Sequence, residues 1–164
     1  MAHAPLDTSG THVWLILMKV HRALAKHAAH SIEELDMCVS DFAVLELLLH
    51  RGPQPVNAIG RRLDLTSGSI TTAIDRLERR QFVARGFDAR DRRARIVSLT
   101  REGKARITEV FGHHKRAMDR AAAGLSRKER ESLIGLARKL GTSAARQLDE
   151  ARNDGRAAGR RRRR

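Results

Sequence analysis

Aromatic residues are scarce in this 164-residue chain, which has no tyrosine, one tryptophan and four phenylalanines. Stacking platforms for single-stranded nucleic acid or RNA are therefore poorly supplied, because such ligands are held largely by bases laid on aromatic rings. Cysteine is scarcer still. The single thiol, Cys38, excludes an intramolecular disulfide and gives no reason to invoke an oxidising compartment. Long apolar runs are absent: the stretch from Val13 to Met18 ends at Lys19, too short for a signal-peptide core or a membrane span, and the leading MAHAPLDTSG has no charged n-region. A cytoplasmic location is expected. There is no phosphate loop, nucleophile elbow or HExxH spacing. The eight histidines, among them His113-His114 and the series His21, His27 and His30, have no cysteine partners, so neither an enzyme nor a metal protein is expected, and no cofactor.

Acidic residues are also in deficit. Lysine and arginine total 33 against 19 aspartates and glutamates, a net charge of +14. The excess is local: residues 1–50 carry −3, residues 51–106 carry +8, residues 107–151 carry +3 and residues 152–164 carry +6. A basic surface of this kind attracts polyanions with salt-sensitive, sequence-independent affinity, and with so few aromatics duplex DNA is the better partner.

What the chain does have is concentrated between Leu65 and Arg101, LTSGSITTAIDRLERRQFVARGFDARDRRARIVSLTR. Thr66, Ser67 and Ser69 offer side-chain oxygens to the free N–H groups of a helix start. Ile70, Ala73, Ile74 and Leu77 then fall on one face at helical spacing, leaving Ser69, Thr72, Asp75, Arg76 and Arg79 on the other. The β-branched and apolar residues of 82–87 and 94–99, on either side of Asp88-Ala89-Arg90-Asp91-Arg92-Arg93, predict a hairpin with a charged tip. Ahead of this, Ser40 is placed to cap a helix ending at Gly52-Pro53, and Pro55 opens a short helix to Leu63. Two short helices joined by a tight turn and followed by a hairpin make a winged helix-turn-helix.

The flanks predict long helices. Val13, Leu17, Val20, Leu24, Ala28 and Ile32 recur at spacings of three or four from His12 to about Leu35. Thr100 caps a helix to about Ala122, and Ser126 with Glu129 forms a capping box opening another to about Leu148. These helices carry more apolar surface than one small winged helix covers, and a dimer would bury it. The expected fold is thus mainly α with a small β-hairpin wing. Its expected layout is a flexible start (1–10), dimerisation helices (11–36 and 101–148), a DNA-binding domain (37–100) and a disordered basic tail (149–164) ending in Arg160 to Arg164, which either extends the DNA footprint or only solubilises.

On the run TSGSITTAIDRLERRQFVAR, the wing DARDRRARIVSLT and the closing Leu99-Thr100-x-x-Gly103, the sequence resembles the MarR family of bacterial dimeric winged-helix repressors. Its segment FAVLELLLHRGPQPVNAIGRRLDLTSGSIT looks most like the branch controlling resistance to catechols and 2-methylhydroquinone. The resemblance implies a homodimer on a palindromic operator, with Thr66, Ser67, Ser69, Thr71, Thr72 and Arg76 at the major groove and its phosphates. Arg90, Arg92 and Arg93 would lie in the wing, oriented by Asp91. It implies release of DNA by a small aromatic, phenolic or quinone effector in a cleft for which Trp14, Met18, His21, Cys38 and Phe42 are candidates; large side chains at helical spacing equally make ordinary core. Cys38 is either a buried small hydrophobe or a redox and electrophile sensor, and no basic residue lies near it in sequence. A non-specific architectural DNA binder is the alternative of a different class.

Overall fold

The computed structural model describes residues 7–87 and 95–161, with side chains through residue 153. The elements are α1 (Gly10–Glu33), α2 (Val39–Arg51), β1 (Gln54–Pro55), α3 (Val56–Leu63), α4 (Ser67–Arg79), β2 (Val83–Phe87), β3 (Arg95–Leu99), α5 (Arg101–Ala121) and α6 (Arg127–Arg161). They form two compact units, divided between Ala121 and Ala122.

In the first unit, α2, α3 and α4 enclose a core with β3 and α5. Phe42, Val44, Leu45 and Leu48 of α2 meet Ile59, Ile70, Ala73, Ile74, Leu77, Val97, Ile107 and Val110, all essentially excluded from solvent. The apolar stripe expected on α4 is the buried face of that helix. Thr66 caps it, its hydroxyl accepting from Ser69 N at 3.2 Å. Asp64 ends α3 in the left-handed region at φ 53°, which a short polar side chain tolerates, and so makes the tight turn between α3 and α4.

The hairpin is part of a three-stranded antiparallel sheet in the order β1-β3-β2. Val83 pairs with Leu99 and Phe87 with Arg95 across β2 and β3, while Gln54 and Pro55 of β1 pair with Val97 and Ile96. The sequence pattern does not announce this third strand; two residues give no alternation to detect, and Pro55 fits a strand only at an edge. The wing tip, with Arg90, Asp91, Arg92 and Arg93, lies outside the described residues.

Two boundaries differ from expectation. Ser40 does not cap α2: the helix starts at Val39 with Cys38 in the N-cap position and no side-chain cap bond. The segment 149–164 is expected to be disordered; within it α6 continues to Arg161, and residues 162–164 lie outside the described residues. Apolar packing partners run out after Leu148, but alanine and arginine are strong helix formers and ion pairs one turn apart, such as Arg146 with Glu150 at 3.7 Å, support the helix locally. At the other end of α6 the capping box is complete: Ser126 N donates to Glu129 at 2.8 Å and Glu129 N to Ser126 Oγ at 3.3 Å. Those bonds hold the exposed Glu129 carboxyl below its ordinary pKa. Among the described residues no helix is long and apolar enough to cross a membrane.

The sheet is tied to α5 at Thr100. Its Oγ1 accepts from Gly103 N at 2.9 Å and donates to Gln81 O at 2.6 Å, and its N–H donates to Phe82 O at 3.1 Å. This draws the first turn of α5 onto the backbone of Phe82, so a Cβ at Gly103 would lie 1.8 Å from Phe82 O. Gly103→Ala is therefore expected to destabilise by about 3 kcal/mol in urea unfolding, because backbone on both sides must move. Gly124→Ala, with nothing within 4 Å of its Cβ, is the control and should stay within about 0.5 kcal/mol.

Candidate nucleic-acid interface

Burying the Ile70, Ala73, Ile74 and Leu77 face of α4 leaves Thr66, Ser67, Gly68, Ser69, Thr71, Thr72, Asp75 and Arg79 outside the core. Short hydroxyl side chains dominate the first two turns, which allows another surface to approach the helix backbone closely. Part of their capacity is used locally: Thr66 Oγ1 and Ser69 Oγ share a hydrogen bond at 2.9 Å, and Thr71 Oγ1 donates to Ser67 O at 2.8 Å.

Arg76 departs from expectation. Rather than standing free to reach a guanine, its guanidinium is turned inward onto Asp41 in the first turn of α2. Nε donates to one carboxylate oxygen at 2.8 Å and Nη2 to the other at 2.6 Å. The Asp41 side chain is 1% exposed and that of Arg76 35%. Nη2 also reaches Ser40 Oγ at 3.2 Å and Cys38 Sγ at 3.1 Å, so the hydroxyl expected to cap α2 serves this pair instead. The hydrogen bonds to Asp41 raise the pKa of Arg76 despite partial burial, and the guanidinium stays charged at any pH the fold survives.

A second clamp acts from the wing. Arg85 on β2 donates to Glu78 Oε2 at 2.5 Å and to Asp75 Oδ1, two acids on the outward side of α4. Its pKa is raised too, first by the bond to Asp75. Asp75 and Glu78 would otherwise repel a phosphate backbone; Arg85 neutralises them and ties helix to strand. Sequence reasoning missed both Asp41 and Arg85 as residues that position α4. One signal was available, since acids on the face assigned to DNA need a cation nearby.

The five candidate cleft residues are not brought together. Phe42 is core, 4.7 Å from the ring of His114 between centroids. Cys38 is exposed beside Arg76 on a cleft of about 430 Å³ that also includes Glu33, Asp36 and Arg80. Met18 and His21 line a separate shallow depression along α1, and Trp14 is 58% exposed on the same helix. Helical period places these side chains on their helices but does not fix which cavity each one meets. Among the described residues no three His, Cys, Asp or Glu are placed to hold a metal ion.

A model of the MarR family matches residues 39–94, from the start of α2 into the wing. The chain is similar to the uncharacterized HTH-type transcriptional regulator YkoM of Bacillus subtilis, 36% identical over 79% of this chain and 84% of that protein. It is similar also to the HTH-type transcriptional regulator MhqR of the same organism, 31% identical over 80% of this chain and 91% of that one. Among solved structures, a probable transcriptional regulator from Pseudomonas aeruginosa superposes with a TM-score of 0.67 at 29% identity, covering 78% of this chain and 96% of that one.

The inward pairing of Arg76 makes an asymmetric prediction. Arg76→Ala strands a buried carboxylate and is expected to cost about 3 kcal/mol or more in urea unfolding at fixed protein concentration. Asp41→Ala leaves a guanidinium already one-third exposed, which water can reclaim, and should cost less. The double variant should cost less than the two singles added. An Arg76→Ala protein as stable as the parent, within about 0.5 kcal/mol, but unable to bind DNA would make Arg76 a DNA contact instead.

Proposed function

The chain belongs to the MarR family of transcriptional regulators, which are not enzymes, and on that premise we propose that it is a homodimeric repressor of a palindromic duplex operator, released by a small phenolic or quinone effector. The observation that carries the reading is a recognition helix whose exposed face is rich in hydroxyls and whose acids Asp75 and Glu78 and inward-turned Arg76 are held by Arg85 and Asp41. It lies in the segment 51–106, which holds +8 of the net charge. A face held this rigidly meets the major groove without an ordering cost at the moment of binding.

Thr66, Ser67, Ser69, Thr71 and Thr72 are the proposed major-groove and phosphate contacts, and Arg90, Arg92 and Arg93 the wing contacts with Asp91 orienting them. Arg76 leaves the set as a positioning residue. Homodimerisation is supported by α1, where Val13, Trp14, Leu15, Ile16, Met18 and Val20 are all more than a third exposed. The catechol and 2-methylhydroquinone branch is supported by the MhqR similarity and not distinguished from YkoM, which is more similar. An effector releases DNA only by binding the DNA-incompetent spacing of two recognition helices more tightly than the competent one.

A second reading, a thiol sensor, is favoured by one contact: the Arg76 guanidinium on the exposed Cys38 sulfur at 3.1 Å. The thiol would add across the conjugated C=C of a quinone, forming a C–S bond; its proton ends on one ring oxygen and the C–H proton of the attacked carbon moves to the other, giving a hydroquinone thioether. The adduct would displace the guanidinium that pins α4.

Selection of bound sites from random duplex at physiological salt is expected to return a palindrome with half-sites about one helical turn apart, and the enrichment should fall on adding one of salicylate, catechol or a quinone. Absence of enrichment, with binding lost steeply in salt, would establish the architectural reading instead. For the thiol, Cys38→Ser should bind the operator like the parent and lose the response to quinone; an unchanged response excludes Cys38 as the sensor.

A further inference from the structure

We infer that Arg95, laid on Phe87 at the foot of the wing, and the cleft it lines against the start of α4 form a seat for one phosphodiester of duplex DNA, adjoining the recognition face at Ser67 and Thr71 and adding Arg95, Phe87 and Asn57 to it. The inference rests on the DNA-binding reading above and names residues which that reading leaves out.

The cleft, about 270 Å³, is where three segments meet: the corner of β1 and α3 (Pro55, Val56, Asn57), the first turns of α4 (Ser67, Thr71) and Arg95 of β3. None of the side chains on it is acidic; Asn57, Ser67 and Arg95 carry hydrogen-bond donors, while the Thr71 hydroxyl proton is used on Ser67 O. The cleft beside Cys38 is the opposite case, for there Glu33, Asp36 and Asp41 face Arg76 and Arg80 and the cations are used up internally. Among the described residues Arg95 makes no ion pair, so none of them offsets the charge on this cleft. The setting adds to it, because α3 begins at Val56 with Pro55 in the N-cap position and no side-chain cap on its first N–H groups.

Phe87 explains how Arg95 is aimed. It is 64% exposed, an uncommon position for a phenylalanine in a chain with four, and it pairs directly with Arg95 across the strands. The guanidinium carbon sits 4.3 Å from its ring centroid. Stacking uses the flat face of the guanidinium and leaves the in-plane N–H donors at its edge free, which is the edge that meets phosphate oxygens. The ring therefore restrains a long side chain without consuming its donors.

Duplex DNA is the source of the phosphate favoured by position. Ser67 and Thr71 line the cleft and also belong to the exposed face of α4, so an anion seated there is continuous with a strand lying along that helix.

The test uses the full chain, the selected operator and a scrambled duplex of equal length, titrated between about 50 and 200 mM salt. Arg95→Met is expected to weaken both duplexes by a similar factor, about tenfold, and to make the logarithmic salt slope shallower by about 0.9 for each phosphate that Arg95 neutralises. Phe87→Ala keeps the charge and should weaken binding by a smaller factor, about threefold. Both positions are exposed, so thermal unfolding should match the parent. Parental affinity and slope in Arg95→Met overturn the seat while leaving the DNA reading intact; failure of the parent to bind any duplex overturns that reading itself. A loss confined to the operator assigns Arg95 to base reading and overturns the phosphate assignment. Inorganic phosphate titrated without DNA separates the other source: if it binds the parent but not Arg95→Met while the two proteins bind duplex alike, the site takes free phosphate and the DNA assignment falls.

Discussion

A carboxylate removed from water has to be paired, and Asp41 at the head of α2 is paired with one guanidinium, that of Arg76 well along α4. The pair spans 35 positions of sequence and fixes both ends of the contact, since two donors of a planar fork meet two oxygens of a planar acceptor. The apolar stripe of α4 brings the helix to the core, but oily contacts alone leave rotation about the helix axis and sliding along it comparatively soft. A bidentate bond to a buried partner does not. The outward presentation of Ser67, Ser69, Thr71 and Thr72 thus depends on a residue that faces the other way. Arg85 supplies the complementary restraint from β2, holding Asp75 and Glu78 on the outer side, so that helix, strand and α2 move as one piece.

Local chemistry was readable from sequence wherever cause and effect lie within a turn or two. The stripe Ile70, Ala73, Ile74, Leu77 announced the buried face of α4; Thr66, Thr100 and the pair Ser126/Glu129 marked three helix starts; and the β-branched flanks marked both strands of the hairpin. Features that depend on partners distant in sequence were not readable. Ser40 has the right side chain for a cap, yet a guanidinium from α4 takes its hydroxyl, and nothing between residues 38 and 51 announces that. Arg76 lies on the polar arc of a helical wheel and reads as a free cation until α2 is packed beside it. At the end of α6 the composition suggests a lack of apolar packing, and the helix that continues there to Arg161 rests on helix propensity and ion pairs one turn apart, which need no packing.

The same distinction separates the two kinds of arginine in residues 51–106. Arg76 and Arg85 are consumed by acids and act as fasteners; their charge does little for a distant polyanion, because each is neutralised where it stands. Arg95 rests on a ring, which orients a cation without cancelling it. A count of +8 therefore overstates uniformity and understates organisation: Arg76 and Arg85 build the reading head, while Arg95 keeps its charge exposed.

If α4 is fastened to α2, it has little freedom to shift alone, and this bears on where control can act. α2 shares its core with α5, and α5 lies along α1 with Arg106 reaching the Leu35 carbonyl just past the end of α1. A disturbance of α1 or α5 by a ligand would reach α4 as displacement of a whole body, because the parts between are close-packed and ion-paired instead of hinged. For a monomer such displacement changes nothing about the reading face. It changes DNA affinity only when two such bodies must span fixed half-sites, so a stiff recognition unit makes sense of regulation through the spacing within a dimer. A contact through which a small molecule could act on α4 directly is the guanidinium shared by Asp41, Ser40 and Cys38, where displacing a single side chain would loosen the helix from within.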